Sequence, residues 1–318
     1  MGTILLFYKY IHIPNPTSIM NWQRTLCQDL QLKGRIILAH EGINGTIGGT
    51  IENTELYKKA MLEHELFAGI DFKEAPGDAS YFPKLRIVVK DEIVNLGIDP
   101  NKLTANNGGV HLKPAQAHEL IKQNPENLVI LDARNRFESK VGTFTGAITP
   151  DIPHFRDLPE YIDNNVDQFK DKQVLMFCTG GIRCERASAY LKQKQVAQQV
   201  YQIEGGIHRY IEQFPDGFFR GKNYVFDGRV TVKVNDDIIG SCDICGISCD
   251  DITNCLNASC NKHFICCPQC FNRFNNTCSQ TCMELLATDK VKPRPLFKKA
   301  DSTEKPESNY EPARNDSN

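Results

Sequence analysis

The chain has 318 residues, which is enough for about two domains and a third small one. Hydrophobic residues make up 41% and charged residues 24%, which excludes collagen-like, coiled-coil and wholly disordered proteins. The net charge of −2 does not indicate nucleic-acid binding. No apolar run approaches the roughly 18 residues of a membrane span, and the N-terminus lacks the basic start of a secretory signal. We therefore expect a cytoplasmic protein with no membrane partner.

The first region, residues 1–97, is predicted to be a small α/β sandwich. Hydrophobic periodicity predicts helices at 17–32 and 53–67, with Thr17 or Ser18 as the first N-cap, and strands at 4–10, 35–39, 45–48 and 85–89. The order β-α-β-β-α-β is typical of the ferredoxin-like, or acylphosphatase-like, fold. Such a domain suits a substrate platform and an interaction module equally, because this fold does not specify function.

The second region, residues 110–221, is predicted to be a parallel α/β domain. Apolar strands alternate with helical stretches: a helix is expected at 185–193, and strands at 128–131, 146–148, 174–177 and 200–203. Ligands of such sheets bind at the carboxyl ends of the strands. Cys178 follows the third of these strands directly, which makes it the first candidate for chemistry.

The segment after this strand is predicted to be the active loop and is defined as Cys178, Thr179, Gly180, Gly181, Ile182 and Arg183. Its two glycines allow several amide hydrogens to point inward, and the following helix adds its positive N-terminal end. Both features lower a thiol pKa and hold an anion, and Arg183 is expected to be a cation at the rim. The alternative is a buried strand-end cysteine followed by an ordinary turn. Only four residues separate Cys178 from Arg183, so the loop is too tight for phosphate and fits sulfur better.

The third region, residues 222–285, contains most of the cysteines. Ten of the thirteen lie between 242 and 282, which favours metal over disulfides in a reducing compartment. Four pairs could supply two tetrahedral thiolate sites for structural zinc: Cys242/Cys245, Cys267/Cys270, Cys255/Cys260 and Cys278/Cys282. Cys249, Cys266 and His263 are left over, so the ligand set stays open. A reduced or disulfide-linked module and an iron-sulfur cluster are the alternatives, and residues 286–318 are predicted to be a disordered tail.

Several cofactor motifs are absent from the sequence. It contains no Gly-x-Gly and no Gly-Lys-Ser/Thr, so the motifs of dinucleotide, flavin and P-loop nucleotide sites are missing. No His-x-Asp or His-x-Glu occurs, so the local signature of a two-His, one-carboxylate iron oxygenase is missing as well. We therefore expect no nucleotide cofactor.

Three separated motifs in the second region resemble those of rhodanese domains. They are Leu131-Asp132-Ala133-Arg134 with Glu138, the active loop, and Glu204-Gly205-Gly206. The resemblance implies a persulfide intermediate on Cys178, held by the loop amides. It also implies that Asp132, Arg134 and Glu138 support the scaffold.

The arrangement over residues 3 to 285 resembles one family in particular. Ala39-His40-Glu41-Gly42-Ile43-Asn44-Gly45-Thr46, then Cys-Thr-Gly-Gly-Ile-Arg-Cys-Glu, then a cysteine-rich end are similar to the oxygen-dependent tRNA uridine(34) hydroxylases. This resemblance implies tRNA as the partner, molecular oxygen as co-substrate and conversion of the wobble uridine to 5-hydroxyuridine. A sulfurtransferase that passes persulfide sulfur from Cys178, and a noncatalytic RNA-binding scaffold, are the other hypotheses. Cys184 either resolves an oxidised Cys178 or packs in the helix.

Overall fold

The computed structural model describes residues 2–260 and 262–296. It is a mixed α/β structure, as predicted, with an acylphosphatase-like first unit, a parallel-sheet second unit and a cysteine-rich third unit. Within these residues no helix is long and apolar enough to cross a bilayer. Most of the predicted disordered tail, residues 297–318, lies outside the described residues.

The first unit is a five-stranded sheet covered by two helices. Its elements are β1 (Gly2–Tyr10), α1 (Pro16–Asp29), β2 (Lys33–Ala39), β3 (Gly42–Thr50), α2 (Ile51–Glu63), β4 (Asp71–Pro76) and β5 (Leu85–Val89). The strand order is β4-β1-β3-β2-β5, with β5 parallel to β2 and the other pairs antiparallel. Its core packs the buried face of β1 and β3 against α1 and α2.

Two sequence expectations for this unit are wrong in detail. The last strand of the βαββαβ motif is β4, which the sequence analysis missed, and 85–89 is an additional edge strand. β4 carries two acidic residues, a lysine and a proline, which are uncommon in strands, so only its pairing with β1 makes it one. The N-cap of α1 is Asn15, whose Oδ1 accepts from the Ser18 amide at 3.0 Å, with Pro16 in the first turn.

The second unit has four parallel strands in the order β6-β10-β9-β7. Its elements are β6 (Val110–Leu112), α3 (Pro114–Gln123), β7 (Leu128–Asp132), α4 (Arg136–Ser139), β8 (Gly142–Phe144), α5 (Leu158–Asn164), β9 (Gln173–Phe177), α6 (Ile182–Gln193), β10 (Gln199–Ile203) and α7 (Gly206–Gln213). Every side chain from Val174 to Phe177 is fully buried, and each contributes about 1.5–3 kcal/mol of hydrophobic stabilisation. The central strand is therefore rigid where it delivers Cys178.

The strand predicted at 146–148 is wrong. Only Ile148 of that segment pairs with the sheet, through a single bridge to Leu131. The strand of this stretch is β8, which lies outside the parallel sheet and pairs with the third unit. Glycines at 142, 146 and 221 make the strand pattern of the local sequence ambiguous. Pairing of β8 with residues 219–221 therefore decides which residues are extended.

The third unit is built on the cysteines and attached to the second through β8. Its elements are β11 (Phe219–Tyr224), β12 (Thr231–Lys233), β13 (Ile252–Asn254), β14 (His263–Ile265), α8 (Pro268–Arg273) and α9 (Gln280–Ala287). Residues 292–295 return to this unit, because the Arg294 amide donates to the Leu256 carbonyl at 2.8 Å. Buried cysteines form much of its small core.

Candidate active site

Cys178 lies at the carboxyl end of β9, where the active loop leads into α6. β9 is an inner strand of the sheet, flanked by β10 and β7. Gly181 precedes α6 with a φ of 100°, a conformation that L side chains rarely adopt. This turn lets the Gly181 amide donate to the Cys178 sulfur at 3.2 Å. The loop therefore wraps the sulfur in main-chain dipoles.

The Cys178 side chain is fully buried, yet its anion is stabilised. Burial by itself raises the pKa of a thiol. Hydrogen bonds from the side chain and amide of Cys184, together with the charge and amide of Arg183, outweigh burial and lower the pKa of Cys178 to about 5. Burial and the neighbouring Cys178 anion raise the pKa of Cys184. At neutral pH the site therefore holds a thiolate on Cys178 and a proton on Cys184.

Arg183 is inside the structure, not at the rim that the sequence suggested. Its guanidinium makes a bidentate ion pair with Glu138, at 2.6 and 2.8 Å, and donates to the Thr179 hydroxyl at 3.2 Å. Burial raises the pKa of the Glu138 carboxyl, but the Arg183 charge and hydrogen bonds outweigh it and the pKa falls below its usual range. The pair is needed here because an unpaired buried guanidinium is very costly.

Asp132 and Arg134 form a second buried ion pair at the end of β7. The Arg134 Nε and Nη2 atoms donate to the two Asp132 oxygens at 2.9 and 2.6 Å, and Nη2 also donates to the Gly142 carbonyl. The guanidinium lies 5.6 Å from the Phe177 ring centroid. These contacts tie β7 to β8 beside the strand that carries Cys178.

The first unit covers the active loop. Leu5 and Phe7 of β1 point into its own core, so the alternate residues Leu6 and Tyr8 face the second unit. Leu6 packs on Gly180, and the Tyr8 hydroxyl lies beside Gly181. Strand β1 therefore closes one side of the Cys178 site.

Glu185, in the first turn of α6, collects hydrogen bonds from three elements. Its carboxylate accepts from the Tyr8 hydroxyl at 3.0 Å and from the Gln202 amide at 3.0 Å, and it contacts His111 Nε2 at 3.0 Å. The hydrogen bond and charge of Glu185 raise the pKa of His111, despite partial burial. A cleft of about 560 Å³ opens beside Tyr8, Glu185 and Gly205, a volume in the range of small-molecule sites.

The cysteines of the third unit form two groups of four. The first group is Cys242, Cys245, Cys267 and Cys270, and the second is Cys255, Cys260, Cys278 and Cys282. Within each group the sulfur atoms lie within 4.8 Å of one another, so each group could hold a metal ion. Cys249, Cys266 and His263 belong to neither group. Along the chain, the first and third cysteine pairs belong to the first group and the second and fourth pairs to the second group. The spacing of the cysteines did not predict this division.

Family models match most of the chain. Residues 2–93 match the UPF0176 acylphosphatase like domain, residues 113–213 the rhodanese-like domain, and residues 220–283 the rhodanase C-terminal domain. The three matches follow the same order as the three structural units.

Whole-chain relatives decide which family combines these domains. A protein of Corynebacterium jeikeium, named tRNA uridine(34) hydroxylase, is 41% identical over 84% of this chain and 89% of its own length. Proteins with the same name from Bacillus licheniformis and Cytophaga hutchinsonii are 40% and 42% identical, over 93% and 88% of this chain and 90% and 89% of their own lengths. The chain belongs to the tRNA uridine(34) hydroxylase family.

The structure brings the predicted active loop and Glu138 together, whereas Asp132 and Arg134 form a separate pair. Tyr8, His111 and Glu185 were not identified. Tyr8 could have been identified from the alternation of β1, which places aromatic residues on the face opposite the core. Glu185 could have been identified from its position in the first turn of α6, two residues after the active loop.

Proposed function

We propose that this protein hydroxylates C5 of the wobble uridine of tRNA, with molecular oxygen as co-substrate and Cys178 as the reacting residue. One oxygen atom becomes the C5 hydroxyl group, the other leaves as water, and an external two-electron reductant supplies the electrons. The family supports the substrate, because relatives about 40% identical over most of the chain are named tRNA uridine(34) hydroxylase. The observation that carries the role of Cys178 is its stabilised thiolate, held between the loop amides and Arg183. Because the substrate in this proposal is tRNA, we infer that the protein acts in the cytoplasm.

The other residues divide into three roles in this proposal. Arg183 supplies the cation that favours the Cys178 anion. The backbone of Thr179, Gly180, Gly181 and Ile182 forms the cradle. Glu138 orients Arg183, and Asp132 and Arg134 hold the neighbouring strand. We assign the first unit to residues 1–97, the reacting unit to 110–221 and the cysteine-rich unit to 222–285.

The hydroxylase proposal predicts a defined change in cellular tRNA. A strain lacking the gene has no 5-hydroxyuridine derivatives at position 34, and the wild-type gene restores them while Cys178→Ala does not. Cys27→Ala is the matched control, because burial raises the pKa of Cys27 to about 12 and it lies in the core of the first unit. Nucleoside mass spectrometry makes the measurement, and unchanged wobble nucleosides in the deletion strain refute the proposal.

Sulfur transfer is the second candidate, favoured by the same thiolate in a rhodanese-like domain. In a sulfurtransferase the Cys178 thiolate takes the outer sulfur of thiosulfate and sulfite leaves; cyanide then removes that sulfur from the persulfide as thiocyanate and regenerates the thiolate. Transfer RNA has no effect on this rate. Assays of one protein preparation distinguish the two candidate functions, since only a hydroxylase modifies tRNA in the presence of oxygen. Thiocyanate formation without any tRNA product selects the sulfurtransferase.

For the cysteine-rich unit we propose two structural zinc ions, one in each group of four. Tetrahedral Zn–S bonds of about 2.3 Å place the sulfur atoms about 3.8 Å apart, whereas a disulfide needs about 2.05 Å. The Cys245–Cys267, Cys260–Cys278 and Cys278–Cys282 sulfur distances are 3.7, 3.6 and 3.9 Å. Four thiolates fill the coordination of zinc, so these sites support folding and leave no position for substrate.

Metal content tests this part directly. Native mass spectrometry of the purified chain should find two zinc ions. Cys245→Ser should remove one and Cys260→Ser the other, because the ligands come from separate groups. Cys249→Ser, which changes a thiol outside both groups, should keep two. A metal-free wild-type protein, or loss of both ions in every ligand variant and in the Cys249 control, contradicts two independent sites.

A further inference from the structure

Phe226 is a largely exposed aromatic side chain. It is 57% exposed, the highest value among the large exposed hydrophobic residues of residues 2–260 and 262–296, and the only aromatic one among them. The others are aliphatic. One exposed ring is ordinary on a protein surface, so it is the residues around Phe226 that indicate a function.

The segment that carries Phe226 is held rigidly. The Val225 amide donates to the Val230 carbonyl at 2.9 Å, and the Asp227 carboxylate accepts from Nε and Nη2 of Arg229 at 2.8 and 2.5 Å. Val230 has a φ of 62°, a left-handed conformation that is unfavourable for a β-branched residue. Backbone strain of this kind persists only where surrounding contacts enforce it, and it clusters at binding sites.

Phe226 adjoins the active loop through one side chain. The Arg183 guanidinium lies 5.6 Å from the Phe226 ring centroid, and the Tyr224 ring packs edge-on at 5.1 Å. Arg183 donates to Thr179, the neighbour of Cys178 in the chain. The exposed ring therefore contacts the arginine whose charge stabilises the Cys178 thiolate.

The charges around Phe226 select a neutral flat ligand. Glu138 neutralises Arg183, and Asp227 neutralises Arg229, so neither guanidinium is left to bind a phosphate. What remains is the exposed face of the Phe226 ring, whose inner neighbour is an ion-paired guanidinium. Proteins stack the unpaired bases of RNA loops on such aromatic faces.

We propose that Phe226 is a stacking platform for a base of the tRNA anticodon loop, beside the active-loop residue Arg183. This proposal rests on the proposed function and extends it from the reacting residue to the recognition of the RNA. Phe226 acts in binding and touches no reacting atom.

The test uses the full-length protein and an anticodon stem-loop RNA as substrate. Loss of one base stack corresponds to about 1–3 kcal/mol, so Phe226→Ala should raise KM by about 5- to 150-fold, with kcat little changed. Phe226→Tyr should retain the wild-type KM, and Phe226→Leu, which keeps apolar bulk without a π-face, should resemble Phe226→Ala. Leu56→Ala, an exposed residue on α2, is the control.

A spectroscopic measurement gives a second readout that does not depend on turnover. Phe226→Trp should show fluorescence quenching on binding the stem-loop that the wild type, with only Trp22, does not show. Activity in the wild type with an unchanged KM in Phe226→Ala overturns the platform and leaves the proposed function standing. Absence of hydroxylation in the wild type refutes the proposed function itself. If the KM of Phe226→Leu equals that of the wild type, the Phe226 side chain only shields the Arg183–Glu138 pair, and the stacking role is wrong.

Discussion

Cys178 is ionised because specific donors outweigh its burial. Removal from water favours the neutral thiol, and only short-range interactions with Arg183, Cys184 and the loop amides reverse that preference. Glu138 contributes indirectly, because it holds Arg183 at a fixed distance. The ionisation of this one sulfur atom therefore depends on a buried ion pair beside it.

Removing the Arg183 charge should shift the titration of Cys178 upward. In Arg183→Met the cation is gone, so the pKa of Cys178 rises from about 5 and less thiolate is present below the new value. Each unit of increase lowers the thiolate fraction about tenfold on the acidic side. Iodoacetamide modification of the Cys178 peptide, followed by mass spectrometry, should be at least about tenfold slower at pH 6 and close to wild type at pH 9.

The stability of this variant separates charge from packing. Removing one partner of a buried ion pair costs about 3–5 kcal/mol, because Glu138 is left unpaired. Arg183→Met with Glu138→Gln should recover part of that loss but not the low pKa of Cys178. An unchanged pH profile in Arg183→Met means that the loop amides alone stabilise the thiolate.

At the scale of elements, the active loop is shaped by the start of α7. Gly205 and Gly206 open this helix with φ of 70° and 64°. A Cβ on Gly206 meets the Cys178 carbonyl and lies 2.7 Å from the Gly181 amide nitrogen, both backbone atoms that cannot move away freely. Gly206, far along the chain, is thus part of the packing of the Cys178 cradle.

A pair of glycine variants isolates this contact. Gly206→Ala and Gly69→Ala both place alanine at a positive φ, and each pays about 1–2 kcal/mol for that conformation. Gly69 has open space around its Cβ position, so its variant should be otherwise normal. Gly206→Ala should lower the melting temperature more than Gly69→Ala does. It should also slow Cys178 alkylation at pH 6. Equal behaviour of the two variants would show that the close contact relaxes without disturbing the loop.

At the scale of the whole molecule, Arg186 joins the first unit to the helix of the active loop. Its fully buried guanidinium contacts Glu41 at 3.0 Å and Glu92 at 3.2 Å, and it donates to the Ile98 carbonyl at 2.6 Å. A second connection, Arg209 with Asp71 at 2.6 Å, is partly exposed. The difference in burial makes the first connection the stronger constraint.

The two connections should respond differently to mutation. Arg186→Leu leaves two carboxylates without their cation and should cost about 3–5 kcal/mol of unfolding free energy, whereas Arg209→Ala should cost at most about 1 kcal/mol. Because β1 covers Cys178, Arg186→Leu should also speed alkylation of Cys178 at pH 8. Denaturant titration and peptide mass spectrometry measure both effects. Similar small losses in the two variants contradict a buried connection between the units.

The local sequence predicts those parts of the structure whose conformation is determined by residues adjacent in the chain. The active loop is one such part, because glycines, a helix start and a cysteine lie within six consecutive residues. The paired spacing of the eight cysteines also predicted that they bind metal, but it did not predict their division into two groups. β4 was missed because its pairing with β1 outweighs the low strand propensity of its residues.

The sequence by itself determined the fold class and the family, and it singled out Cys178 as the candidate reactive cysteine, since these depend on periodicity and on short motifs. Only the tertiary structure decided that Tyr8 and Arg186 connect the first unit to α6, that Glu138 buries Arg183, and that Phe226 stands exposed beside them. The physical reason is distance along the chain. Contacts between residues tens to hundreds of positions apart depend on how whole sheets and helices pack, which no local pattern encodes.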